Sequence, residues 1–467
     1  MDKKKSEGMK LEKELSYKKD NFFLKADDER LKKTFDYAEE YKKYIDSSKT
    51  EREAVKTSIE LCKAKGFKEY RFGDKLVKGG KYYYNNRFKS LAVFKIGSEN
   101  VGADGIRILA SHIDSPRLDL KQNPLYEDSS MAFFKTHYYG GIKKYQWTAI
   151  PLALHGTVVL KNGKSVDIAI GEAETDPVFY INDLLPHLSR EQNSKPLSQA
   201  IDGETLNVLV GGIPFKDDDV KDSIKLNVLK HLHDDYGMVE SDFLSAELCV
   251  VPAFKARDIG FDRALIGAYG HDDRVCSYPA LTSLLDTEDE KHTVLVVLAD
   301  KEEIGSEGTT GMQCKVYEDI IDVIAASENQ PSALVRANSV CLSADVTAGY
   351  DPNYAGVYEK RNSSLVSYGT SICKFTGSGG KGGSSDASAE LCGRIRKIFD
   401  SNGIIWQTAE LGKVDAGGGG TVAKYLAKLN IDTIDIGVPV ISMHAPYEVI
   451  SKGDLYSTYE AFAAFIK

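Results

Sequence analysis

Five short segments carry acidic or imidazole groups at the end of an apolar run. They are Ser111-His112-Ile113-Asp114-Ser115-Pro116, Gly270-His271-Asp272-Asp273-Arg274, Asp300-Lys301-Glu302-Glu303-Ile304-Gly305, Ser343-Ala344-Asp345 and Ser442-Met443-His444-Ala445-Pro446. Among the groups they carry are the imidazoles of His112 and His444, the carboxylates of Asp272 and Asp345, and the adjacent pair Glu302-Glu303. Imidazole nitrogen and carboxylate oxygen are zinc ligands. Two bridged divalent ions can clamp one water between them, and a carboxylate left over can serve as its general base. The inventory points to metal-assisted hydrolysis.

Spacing adds to residue type. His112 and Asp114 are two apart, so on an extended chain both point to the same side. Asp114 can then take the second N–H of His112 and fix its tautomer. Glu302 and Glu303 repel each other unless a cation is present. Neighbouring side chains diverge, so one can hold metal while the other faces the water. Singly, each segment has a bland reading: a His-Asp pair at a strand end, a solvated acidic turn, an aspartate at a cap or turn, a loop histidine. Their joint occurrence after apolar strands carries the inference, because open α/β sheets collect sites at the carboxyl ends of strands.

The elements that must position these groups follow from periodicity. Leu31, Phe35, Ala38 and Tyr41 share one face of a helix over 28–44. Thr50-Glu51-Arg52-Glu53 reads as a capping box opening a second helix that stops near Gly66. Strands are expected over 91–96, 106–110, 294–299, 339–344 and 433–438. Several are apolar on nearly every residue, as strands covered on both faces are. A helix over 385–399, capped by Ser384 or Ser385, and another over 454–466 complete the α/β pattern. Between them, residues 118–245 read differently, as short strands and turns with an Asn162-Gly163 hairpin. The chain is therefore divided into a discontinuous α/β domain, 1–117 and 246–467, and a β-rich insert, 118–245.

Composition narrows the class. A chain of 467 residues exceeds the size at which one core usually stops growing. Its net charge of −9 argues against nucleic acid as a partner. No apolar stretch reaches the roughly 20 residues that span a bilayer, and Met1-Asp2-Lys3-Lys4-Lys5 leads into charged sequence without the apolar core of a signal peptide. Seven cysteines without a Cys-x-x-Cys pair fit a reducing cytoplasm.

Three other motifs compete. Gly377-Ser378-Gly379-Gly380-Lys381-Gly382 satisfies a dinucleotide-binding pattern, which by itself is weak, and Asp400 sits where a helix end is expected. His231-Leu232-His233-Asp234-Asp235 has a metal-site look, but its charged surroundings read as a solvated face. Gly417 to Gly420 before a helix could offer backbone N–H groups to substrate, although a tight turn explains it equally well.

With these residues assembled, the chain resembles the M18 family of metallo-aminopeptidases, the aspartyl aminopeptidase family, over nearly its whole length. Ser111 to Leu118, Asp300 to Ser306 and Met443-His444-Ala445 carry the resemblance most specifically. It implies a three-layer α/β/α zinc-peptidase domain interrupted by a β-rich dimerisation domain, two divalent ions per subunit (zinc first, manganese or cobalt as alternatives), peptide substrates and a homo-dodecamer built from dimers. By the same resemblance His112, Asp345, His444 and Glu303 are terminal metal ligands, Asp272 bridges, Glu302 is the general base and Asp114 orients His112. His187 matches a histidine of the insert that steadies the carbonyl oxygen in a neighbouring subunit, with direct metal binding as the alternative. Lys381 lies near the family's lysine for an acidic substrate side chain, but its glycine-rich setting leaves acidic or neutral preference open; Gly419 and Gly420 are substrate-contacting candidates. The alternatives to a peptidase are a non-catalytic peptide-binding or structural shell protein and, more weakly, a dinucleotide-dependent oxidoreductase.

Overall fold

The computed structural model describes residues 6–288 and 291–467; the Met1–Lys5 stretch read above lies outside the described residues. A nine-stranded sheet forms the centre of the larger part. Four neighbouring strands are parallel, in the order Thr293–Ala299, Ile106–His112, Val340–Ser343 and Asp432–Gly437. Strand Ser90–Lys95 flanks them antiparallel on one side and Thr370–Cys373 on the other.

Alternation along these strands builds two cores. Val294, Val296 and Leu298 face one hydrophobic cluster with Leu109, Val275, Leu281, Phe399 and Phe462. Leu295, Val297 and Ala299 face another with Ile108, Ile320, Ile324, Val422 and Leu426. Side chains of a strand alternate between faces, so helices on both sides cover it and three layers result. The capping box at Thr50 forms as read. The helix expected over 385–399 instead runs Ala389–Ser401, because the Ser388 hydroxyl caps it by accepting from Leu391 N–H at 3.1 Å. That shift detaches it from the glycine run.

The insert is a seven-stranded antiparallel sheet. The Asn162-Gly163 turn joins strands Leu152–Val159 and Ser165–Ile170. Strand Ala246–Pro252 pairs with Arg117–Asp128 and Leu152–Val159, so this sheet reaches seven residues past the boundary read at 245. Its apolar stripe (Leu118, Phe134, Trp147, Leu154, Leu232) forms a separate core.

Candidate active site

Parallel register brings three of the five segments to one sheet edge. Ala299 is opposite His112, and Ser343 is opposite Ala110. The Glu302-Glu303 turn, His112 and Asp345 therefore leave the sheet side by side. Asp272 and His444 arrive by another route. Asp272 opens the helix His271–Asp286, which follows strand Leu265–Ala268 of a small three-stranded sheet. His444 sits in the loop after the short strand Pro439–Val440, with a left-handed backbone (φ 65°), a conformation non-glycine residues adopt at a cost. All five segments thus follow strands, three leaving the central sheet and two leaving strands of smaller sheets.

Asp272 stands in the middle. Its Oδ1 lies 3.2 Å from His112 Nε2, and its Oδ2 lies 3.2 Å from His444 Nε2. On the His112 side, Asp345 Oδ1 is 3.9 Å from the same nitrogen. On the His444 side, Glu303 Oε1 is 3.5 Å away. Both imidazoles have their other nitrogen engaged. His112 Nδ1 faces Asp114, 3.1 Å from its carbonyl and 3.3 Å from its carboxylate. His444 Nδ1 donates to the Gly141 carbonyl at 2.8 Å. Each tautomer thereby presents Nε2 to the centre, as a metal-binding imidazole must. Asp114 also accepts from the backbone N–H of Glu302 at 3.1 Å and of Glu303 at 3.2 Å, so one carboxylate orients the first histidine and sets the glutamate turn.

The electrostatics call for a cation. Burial, and then Asp272, push Glu303 well above the ordinary glutamate range; burial, and then Asp273, do the same to Asp345. Burial opposes charge on His444, but Asp272 and Glu303 outweigh it and raise the ring to about 10. Glu303 Oε1 and Asp273 Oδ1 are buried without a hydrogen-bond partner. His112, Asp272 and Glu303 can bring ligand atoms within 4.8 Å of one another, as can His112, Asp273 and Asp345. Orphaned carboxylate oxygens beside two imidazoles that turn Nε2 to the centre are the donor set a divalent ion of zinc type takes. His271, next to Asp272, behaves oppositely: burial lowers it to about 3 and Tyr41 OH lies 2.8 Å from its Nδ1, a neutral core histidine.

Several contributors had no signal in the reading above. Tyr139 of the insert donates to Asp114 Oδ2 at 2.8 Å. Glu448, 1% exposed, accepts from the backbone N–H of Asp272 at 3.1 Å and of His444 at 2.7 Å. Asp273 lies against His112 N–H at 3.4 Å. Each is placed by long-range packing; the sequence offered only that Asp273 adjoins Asp272 and that Glu448 comes four residues after His444.

The remaining candidates fall in different places. Glu302, Gly419 and Gly420 line a cavity of about 480 Å³ together with His112, Asp272 and His444. His187 lies in an exposed turn of the insert and does not line that cavity. Nor does Lys381: its ammonium is 3.2 Å from Asp386, which Lys374 also holds, and covers the Phe375 ring. The Gly377–Gly382 run forms a tight bridge at Ser378 and Gly382 and pairs with Gly418-Gly419. It does not open a helix, which removes the dinucleotide reading. Gly417 to Gly420 likewise precede only a five-residue helix, Ala423–Ala427. His231 and His233 are exposed on helix Ser223–Tyr236, as a solvated face requires.

An α/β sheet that gathers such imidazoles and carboxylates over one cavity defines a metal-dependent hydrolase. The chain belongs to the M18 family: the family model described as aminopeptidase I zinc metalloprotease (M18) matches residues 44–466. A probable M18 family aminopeptidase 1 from Clostridium acetobutylicum is 47% identical over 454 residues, covering 96% of this chain and 97% of the relative. The crystal structure of an M18 aminopeptidase from Thermotoga maritima superposes with a TM-score of 0.91 at 41% identity, covering 97% of this chain and all of the other. A dodecamer of yeast mApe1 shares the fold (TM-score 0.75, 22% identity, 92% of this chain and 96% of the other). The protein is a metallo-aminopeptidase, a hydrolase, with a cluster able to hold metal. Among the described residues no helix is long and apolar enough to cross a membrane.

Proposed function

We propose that the protein removes N-terminal residues from peptides with two divalent ions, zinc in the first place. The observation that carries this is the division of the Asp272 carboxylate, one oxygen toward His112 and the other toward His444. On this reading His112 and Asp345 would hold one ion, His444 and Glu303 would hold the other, and Asp272 would be shared between them. Bound ions of this kind polarise a carbonyl and acidify water. Glu302 would take a proton from the attacking water and return it to the leaving amine. Asp114 keeps His112 in its ligand tautomer and Glu302 in place. The same donors accept manganese or cobalt, and either acidic or neutral N-terminal residues are admitted by this mechanism.

Assembly belongs to the same proposal. Leu184, Leu185, Leu188 and Ile213 leave apolar surface exposed on the insert, as a self-association face does. We assign the insert to dimerisation, the whole to a dodecamer built from dimers, and His187 to the cavity of a neighbouring subunit. Seven unpaired cysteines suit a cytoplasmic setting. The test is chelation followed by metal titration. Activity on an aminoacyl p-nitroanilide should vanish on chelation and return at two equivalents of zinc per chain; recovery at one equivalent would remove the two-ion mechanism.

A further inference from the structure

Arg117 opens the insert's strand Arg117–Asp128 and is buried. Its guanidinium is held from two directions: Nη1 donates to Glu51 Oε2 at 2.9 Å and Nε donates to Asp119 Oδ1 at 2.7 Å. Carboxylates on two edges of a planar group fix its orientation as well as its place. The guanidinium carbon lies over the Tyr139 ring, 4.1 Å from its centroid, close enough for a cation–π contact. The Tyr139 hydroxyl donates to Asp114 Oδ2 at 2.8 Å. Asp114 in turn faces His112 and receives the N–H groups of Glu302 and Glu303. Two contacts therefore separate Arg117 from the carboxylate that sets the glutamate turn.

The far side of Arg117 is equally constrained. Glu51 is the first residue of helix Glu51–Ala64, is buried, and also takes Lys89, at 3.2 Å. Burial raises Glu51, but Arg117 and then Lys89 outweigh it and hold it at about 2, so its charge persists. Lys89 reaches on to Asp300 at 4.0 Å, two residues before Glu302. The glutamate turn is thus approached from two sides by charges that begin at one helix terminus. Tyr139 and Arg117 also border a cavity of about 320 Å³ behind that turn, where Lys301 and Ile304 line the wall. One hydrogen bond does not fix an aromatic ring that borders open space; an arginine laid over it does.

We infer that Arg117 is a positioning residue for the peptidase reaction: by covering the Tyr139 ring it holds the Tyr139 hydroxyl on Asp114, and through Asp114 it sets His112 and Glu302. Arg117 does not line the active-site cavity, so it acts only through its neighbours. The inference rests on the aminopeptidase reading above for Glu302; for His112, the grip on zinc is measurable without substrate.

Arg117→Lys separates this role from the ion pair. The ammonium keeps a charge for buried Glu51 but lacks the planar face that covers a ring. In the full-length, zinc-loaded enzyme it should lower kcat on the best aminoacyl p-nitroanilide about fivefold, the size of a lost cation–π contact, with KM nearly unchanged. Zinc affinity, measured by chelator competition, should fall by a similar factor. The deciding measurement repeats both in a Tyr139→Phe background. That ring has no hydroxyl to place, so Arg117→Lys should then change neither kcat nor zinc affinity. A role confined to holding the fold together would lower both by the same factor in either background, and that result overturns the proposal. Wild-type kcat and zinc affinity in Arg117→Lys overturn it too. If Arg117→Lys does not fold, Asp119→Asn runs the same cycle. Asp119 is half-buried, and its loss leaves Arg117 paired with Glu51. The effect should be about twofold, as for a partly exposed ion pair, and only while the Tyr139 hydroxyl is present. A wild type inactive on every aminoacyl p-nitroanilide sinks the peptidase reading, and the zinc cycle then decides the role of Arg117 by itself.

Discussion

The central sheet and the insert's sheet solve opposite problems. Strands Ile106–His112 and Thr293–Ala299 are buried at every residue, whereas Met131–Tyr139 and Ser165–Ile170 mix buried, half-buried and exposed residues. A parallel sheet sheathed in helices leaves its strand ends as the outlet for polar groups, so chemistry gathers there. An antiparallel sheet open on one face offers surface instead. The two meet at the site, because the insert's Tyr139 and Gly141 bind Asp114 and His444. The lesson is that the central sheet supplies reactive groups and the insert restrains them.

The largest break in that comparison is Glu302→Gln. It should lower kcat by about 10²- to 10⁴-fold, the range for a lost general base, with zinc content and melting temperature unchanged; normal turnover would remove Glu302 from its role. Asp114→Asn comes next. It keeps the shape but weakens the grip on His112 and the glutamate turn, so zinc affinity measured by chelator competition should fall about 10- to 100-fold. Tyr139→Phe probes the insert's restraint alone. Losing one hydrogen bond, about 1 kcal/mol, should reduce kcat/KM roughly fivefold; an effect as large as that of Asp114→Asn would mean the insert does more than restrain.

The smallest expected effect lies on the seam between the two parts. His155 of the insert sits 2.7 Å from Glu53 and 3.1 Å from Glu172. Burial opposes its charge, but Glu172 and Glu53 raise it from 6.5 to about 9. A raised folded value means the stabilisation is full below about pH 6.5 and is lost as pH climbs through about 9. Glu172 is held down to about 2, burial being outweighed by His155 and Lys49, so its share is lost only as pH falls below about 4.5 toward 2. Melting temperature should be flat between those limits and drop by roughly 2–4 °C toward pH 9. His155→Gln, which does not titrate, should lack the alkaline slope in a scanning calorimeter.

Much of the fold was legible because its signals are local. Apolar runs revealed the buried strands, Asn162-Gly163 the hairpin and Thr50 to Glu53 the cap. Misplaced features had close competitors nearby: Ser388 capped the helix assigned to Ser384 or Ser385, and strand Ala246–Pro252 is as apolar as a central strand yet hydrogen-bonds in the insert. Lys381 looked like the substrate lysine from its neighbours in the chain. Asp386, five residues on, pairs with its exposed ammonium, and Lys381 does not line the cavity.

By itself, the sequence determined which residues are able to do chemistry: His112, Asp272, Glu302, Glu303, Asp345 and His444, each marked by type and by the apolar run before it. Only the tertiary structure decided how they divide. It turned one oxygen of Asp272 to each imidazole, brought Glu448 under the backbone of distant Asp272 as well as that of nearby His444, and set Tyr139 of the insert against Asp114. Residue type and periodicity are properties of a few neighbouring residues, but a division of partners depends on the register of strands far apart in the chain. Here those strands belong to the central sheet, the small three-stranded sheet and the insert, so the division is settled only when the three are packed together.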